Sequence, residues 1–202
     1  TSKRIVSELT KILKIAKKEP PYILVGHSFG GLNMQLFART NPKDVIGLVL
    51  IDSIHTEQYK RFEDAGIEIP TVNTTRFLLG SKDQVTEGIP EEYKDIAYEL
   101  VRSDEAVSSM FNELRNMHVS TQEIATAEKM PDIPITVIIH GKQVWDNHMF
   151  KNMEEIWYEL QIQLSKSTSK GKLLTADSSG HHIHLEQPEL ILSEIKSILE
   201  KK

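Results

Sequence analysis

Three residue types that together can make a hydroxyl nucleophilic stand in a usable order along this chain. Ser28 lies in Gly26-His27-Ser28-Phe29-Gly30, a G-x-S-x-G pentapeptide; His181 lies in a late Ser- and His-rich stretch, and candidate aspartates stand at Asp52 and Asp146. A serine attacks a carbonyl carbon at neutral pH only when a base removes its proton. The imidazole that does so needs a carboxylate to hold its tautomer and stabilise the charge it gains. His182 and His184 compete with His181 for the role of base, but read better as packing or surface residues. A metal site built from His181, His182, His184 and Glu186 is the rival reading of the same stretch; no other ligand set supports it, so no metal and no cofactor is expected. The chain has no cysteine, which excludes disulfides and thiol chemistry without fixing a compartment; a cytoplasmic location is only a default.

The pentapeptide means little without the elements around it. Pro20 and Pro21 end what precedes, Tyr22 to Val25 reads as a short buried strand, and Leu32 to Arg39 resumes helical spacing. A nucleophile on so sharp a strand-to-helix turn brings the two elements together, so side chains at Gly26 or Gly30 are expected to clash. Upstream, Ile5, Leu9, Ile12, Leu13 and Ala16 fall on one face of a predicted amphipathic helix over residues 3 to 17. Downstream, the helix should end near Asn41-Pro42. Val45 to Ile51, apolar and rich in β-branched residues, predicts a strand buried on both faces and ending at Asp52.

From Ser53 to Met130 no convincing core strand appears, and the spacing predicts helices over Glu91 to Arg102 and after Ser103, a good N-cap. In the second of these Val107, Met110, Phe111, Leu114 and Met117 share a side. This stretch, 53–130, is read as a helical lid inserted into a core made of 1–52 and 131–202. The sheet resumes at Pro134 to His140; Met153, Ile156, Trp157, Leu160 and Leu164 mark another amphipathic helix, and Lys172 to Ala176 a last strand. Ser178 to His184 reads as a loop, and Pro188 as the start of a final helix carrying Ile191, Ile195 and Ile198 inward. Alternating strands and helices predict an α/β fold with a mainly parallel sheet.

A net charge of -5, with 26% charged and 39% hydrophobic residues, fits an ordinary globular domain and offers no basic cluster for nucleic acid. The longest apolar run is too short to span a bilayer.

The GHSFGG turn, the LVLIDS and IIHG strand ends and the SGHHIHLEQPE tail, in this order and at these spacings, resemble the α/β-hydrolase fold superfamily over nearly the whole chain. The resemblance implies Ser28 as nucleophile, His181 as general base and the Phe29 backbone N–H as one half of the oxyanion hole. Many members carry the acid three residues past the glycine of the IIHG-like strand end, where this chain has Val144. Asp146 lies two positions later, and Asp52, at the strand end that other members use, is preferred to it. Members also have about four strands before the nucleophile strand, including the one whose loop supplies the second oxyanion N–H, and only one helix precedes it here. The N-terminal half of the sheet is therefore expected to be absent. A longer parent chain, or self-association over the exposed edge of the Tyr22 to Val25 strand, is expected to complete it.

The expectation is a serine hydrolase of a carboxylic ester or related small acyl compound, with His27 and His55 as pocket walls. The same triad also serves amide or C–C cleavage, and a non-catalytic binding or signalling protein on the same fold is the alternative of another class.

Overall fold

The computed structural model describes residues 1–67, 80–145 and 151–200. Four parallel strands, β1 (Tyr22–His27), β2 (Val45–Ile51), β3 (Ile135–His140) and β4 (Gly171–Ala176), lie side by side in chain order. In the pairing register His27 stands opposite Ile51, Ile51 opposite Ile138, and His140 opposite Ala176, so all carboxyl ends open on one side. That is the side where open parallel sheets present loops to ligands.

The β2 and β3 runs are apolar on both faces because both faces are covered. Val49, Ile51, Ile138 and Ala176 pack with Ile183, Ile191 and Ile198 on one face, and the alternate residues Leu48 and Leu50 are equally buried. Helix α2 (Phe29–Thr40) follows β1, and α3 (Gln58–Asp64) follows the turn after β2. Past β3, α8 (Lys151–Ser165) buries Met153, Ile156, Trp157, Leu160 and Leu164, as its spacing predicts. The chain ends on α10 (Pro188–Glu200), which Pro188 does open.

Helix α1 (Ser2–Ile15) half-buries Ile5, Leu9 and Leu13 of the face its spacing suggests, but its buried centre is shifted to one side of that face. Val6 and Ser2 are buried, while Ile12 is 60% exposed. Its first turn is tied down by polar contacts: the Ser2 hydroxyl donates to Asn33 Oδ1 (2.6 Å), and Ser2 N–H donates to Ser120 Oγ (3.1 Å). Hydrophobic spacing alone does not register such an anchor. Likewise the stretch read as a loop up to His184 contains a single helical turn, α9 (Ile183–Glu186), formed around the fully buried Ile183.

Residues 69–118 form a second compact unit. Its described elements are α4 (Lys82–Val85), a 3-10 turn (Glu91–Tyr93), α5 (Lys94–Arg102) and α6 (Asp104–Arg115). Ser81 and Gln84 cap α4 reciprocally, and Ser103 Oγ accepts the Ala106 N–H (3.2 Å) to cap α6. Met117, expected on the α6 face, instead begins α7 (Met117–Ala125), whose Ser120, Thr121 and Ile124 are buried in the larger unit.

The expected crowding at the β1–α2 turn is real at Gly26 but not at Gly30. A Cβ on Gly26 would lie 2.6 Å from Gly30 O, whereas one on Gly30 would meet nothing within 4 Å. The second crowded position is Gly31, where a Cβ would lie 2.3 Å from Ser53 Oγ. Gly30 is the first full step of a helix and its side is open; Gly31 is where α2 touches the end of β2. Gly26→Ala should therefore cost at least ~1–3 kcal/mol of stability, the range for overpacking a filled interior. Gly30→Ala, placing a better helix former at an open site, should be neutral or gain up to ~1 kcal/mol. Urea unfolding of the two variants checks this contrast.

Candidate functional site

The β1–α2 turn is strained at Ser28, a residue type that gives no relief. Ser28 has φ 51° and ψ −119°, outside the regions an L-residue favours, at a cost of ~1–3 kcal/mol. The surrounding backbone holds it there. Ser28 N–H donates to Ile51 O (3.0 Å), and Ser28 C=O accepts from Ile54 N–H (3.2 Å) and Gly31 N–H (3.1 Å). The Phe29 N–H heads α2, at the end of a helix that carries partial positive charge.

Asp52 sits one step past β2, also at positive φ (42°), and is fully buried. Its own N–H donates to Ile138 O (2.7 Å), and the next residue, Ser53, is pinned by Gln35 Nε2 to its Oγ (3.1 Å) and Gln161 Nε2 to its carbonyl (2.8 Å). Three donors meet the carboxylate. His181 Nδ1 lies 2.6 Å and His140 Nδ1 2.7 Å from Oδ2, and Trp157 Nε1–H donates to Oδ1 at 2.8 Å. Burial alone would raise the Asp52 pKa, but the bonds from the two histidines override it and bring it to about 2.

His140 is the residue that sequence reasoning missed. Its Nε2 lies 2.9 Å from Glu154 Oε2, so each ring nitrogen faces a carboxylate and both must donate. Burial opposes the charged ring, but the two carboxylates prevail and raise its pKa. Glu154 is fixed in turn by the backbone N–H groups of Val144 (2.5 Å) and Trp145 (3.0 Å) on its other oxygen. The sequence carried a signal for this: Glu154 and Trp157 are three apart on one helix and so neighbours on its surface. A buried indole N–H also needs an acceptor.

Of the predicted site residues, His181 and Asp52 are brought together. His27 joins them: its ring lies 4.5 Å from that of His181, centroid to centroid, and its Nε2–H donates to the His181 carbonyl (2.8 Å). Burial, then the His181 charge, lowers the His27 pKa to about 4. His55 is otherwise engaged, its Nδ1 accepting the Glu57 N–H (3.1 Å), with burial lowering its pKa to about 4. Asp146 lies outside the described residues.

The rival ligand set His181, His182, His184 and Glu186 is not assembled. His181 Nδ1 is on Asp52, and Glu186 accepts the Gly180 N–H (3.2 Å). The histidines that do converge are His27, His182 and His184, with one ring nitrogen from each within 4.8 Å of the others.

The charge on Asp52 should register in stability. A carboxylate lowered from 3.8 to about 2 on folding stabilises the protein above its unfolded value and loses that contribution as pH falls through the folded one. The loss amounts to about 2 kcal/mol between pH ~4 and ~2. Urea unfolding across that window should show it, and Asp52→Asn should flatten that part of the profile.

The chain is 22% identical to an AB hydrolase superfamily protein of Gibberella zeae over 98% of this chain and 71% of that protein. It is 25% identical to an uncharacterized protein of Bacillus subtilis over 95% of this chain and 62% of that one. Among solved structures, a probable hydrolytic enzyme from Pseudomonas aeruginosa PAO1 superposes with a TM-score of 0.65 at 17% identity, covering 98% of this chain and 69% of that one. A meta-cleavage product hydrolase from Pseudomonas fluorescens IP01 does so with a TM-score of 0.64 at 16% identity, covering 100% and 72%. Among the described residues no helix is long and apolar enough to cross a membrane. Residues 4–194 match the sequence pattern of the alpha/beta hydrolase family, and the chain belongs to that family.

Proposed function

We propose that the protein is a serine hydrolase of a carboxylic ester or related acyl compound, with Ser28, His181 and Asp52 as its triad. The observation that carries this reading is the 2.6 Å bond from His181 Nδ1 to the buried Asp52; a serine on a strained turn at the carboxyl end of β1 supports it. With Nδ1–H committed to Asp52, His181 presents Nε2 as the basic nitrogen. Ser28 Oγ attacks the acyl carbon as its proton passes to that nitrogen, and the carbonyl oxygen becomes an oxyanion facing the Phe29 N–H. Collapse expels the alcohol, which takes the proton from His181, and leaves an acyl group on Ser28. Water then repeats the sequence, with His181 as base, and releases the acid and the free serine.

His140 and Glu154 act in this scheme by positioning and charge. A protonated His140 shares Asp52 Oδ2 with His181 and so draws off part of the carboxylate's negative charge.

A fluorophosphonate probe should label the protein stably, and Ser28→Ala should abolish the labelling. Failure to label a folded chain would refute the hydrolase reading. Asp52→Asn should lower kcat by about 10⁴-fold with little change in fold; a loss under tenfold would move the acid elsewhere, Asp146 being the next candidate. His140→Gln removes one of the two imidazoles on Asp52 Oδ2 and should lower kcat of the folded protein with KM little changed, whereas a purely structural role would lower Tm and leave kcat of the folded fraction as it is.

A further inference from the structure

The histidines left over by the triad converge on one point. His27 comes from the end of β1, immediately before the nucleophile; His182 and His184 come from the start of α9, immediately after the base. Their rings are mutual neighbours, with centroids 4.5 Å apart for His27 and His184, 5.6 Å for His27 and His182, and 5.9 Å for His182 and His184. One nitrogen from each lies within 4.8 Å of the others.

We propose that His27, His182 and His184 bind a divalent transition-metal ion, Zn²⁺ by ligand type, and that the ion ties the nucleophile turn to the base loop. Three imidazoles form a donor set suited to Zn²⁺, Ni²⁺ or Cu²⁺ and poorly suited to Mg²⁺ or Ca²⁺, which require oxygen. Bonds of about 2.0–2.1 Å to a tetrahedral ion would bring the nitrogens to about 3.4 Å from one another. His182 and His184 are exposed, and ion binding requires their nitrogens to draw in from within 4.8 Å to that spacing. His27 is the fixed member, its Nε2–H donating to the His181 carbonyl. That is the arrangement by which a metal-ligating histidine is usually oriented: one ring nitrogen donates to a backbone carbonyl and the other keeps its lone pair. A fourth position is left for water. Because His27 precedes Ser28 and His182 follows His181, the ion cross-links the two segments whose separation sets the nucleophile–base distance.

Calorimetric titration of tag-free protein with Zn²⁺, in parallel with thermal unfolding, tests the site. The proposal expects one ion per chain, a higher Tm with Zn²⁺ but not with Mg²⁺, and a loss of affinity of at least about tenfold in His182→Gln and in His184→Gln. Ser28→Ala, which silences the fluorophosphonate test, should bind Zn²⁺ as tightly as the parent, so failure of either reading is separable from failure of the other. Unchanged affinity in both histidine variants, or no saturable Zn²⁺ binding by the folded parent, overturns the proposal. Should a variant fail to fold, imidazole nitrogen chemical shifts of the parent decide: His27, His182 and His184 must move on adding Zn²⁺, and a stationary His27 overturns the site.

Discussion

A carboxylate removed from water is tolerable only where donors meet it, and Asp52 is met by three, each from a different element. β3 delivers His140, α8 delivers Trp157, and the loop after β4 delivers His181. The site therefore depends on the sheet being correctly ordered: were β3 or β4 displaced by one residue, the Asp52 carboxylate would lose a partner and become a buried unpaired charge. Local strain points the same way. Ser28 and Asp52 both adopt positive φ, and such conformations persist only where the surroundings over-determine them.

The network also explains why a histidine sits at the end of β3. With His181 alone, Asp52 Oδ2 would have one partner. Here that oxygen has two, and His140 is anchored at its far side by Glu154. The chain Glu154–His140–Asp52–His181 alternates acceptor and donor groups, so each member is satisfied and its orientation fixed by its neighbours. Glu154 is itself fixed by backbone amides rather than by another mobile side chain.

Much of this was legible in the sequence because it follows from short-range rules. The β1–α2 turn, the buried β2 and β3 runs, the α8 stripe and the Pro188 helix start are periodicity and punctuation, and the four strands lie within two residues of where they were read. Preference for Asp52 came from its place at a strand end. What was not legible was contact between distant residues. His140 and Glu154 are ordinary letters until the register sets β3 beside β2. Ser2 anchors α1 through Asn33, and Gly31 rather than Gly30 meets the neighbouring strand, because polar docking and backbone proximity leave no periodic trace. The three converging histidines were visible as letters, but the sequence grouped His181 with His182 and His184, whereas the fold substitutes His27.

The two backbone bonds between the β1–α2 turn and the β2 end, Ser28 N–H to Ile51 O and Ile54 N–H to Ser28 O, make Ser28 and Asp52 a single mechanical piece. Neither can drift from the other without breaking the first strand pair. His181 belongs to another piece: its loop is held by Ser179 O accepting from Gly141 and Lys142 N–H, by the His27 ring and by Asp52 itself. The geometry of the three groups thus reduces to one adjustable coordinate, the seating of residues 177–182 on a rigid rail. Sequence change in that loop can alter where His181 sits relative to Ser28 while the rail, and the stability invested in it, stays as it is.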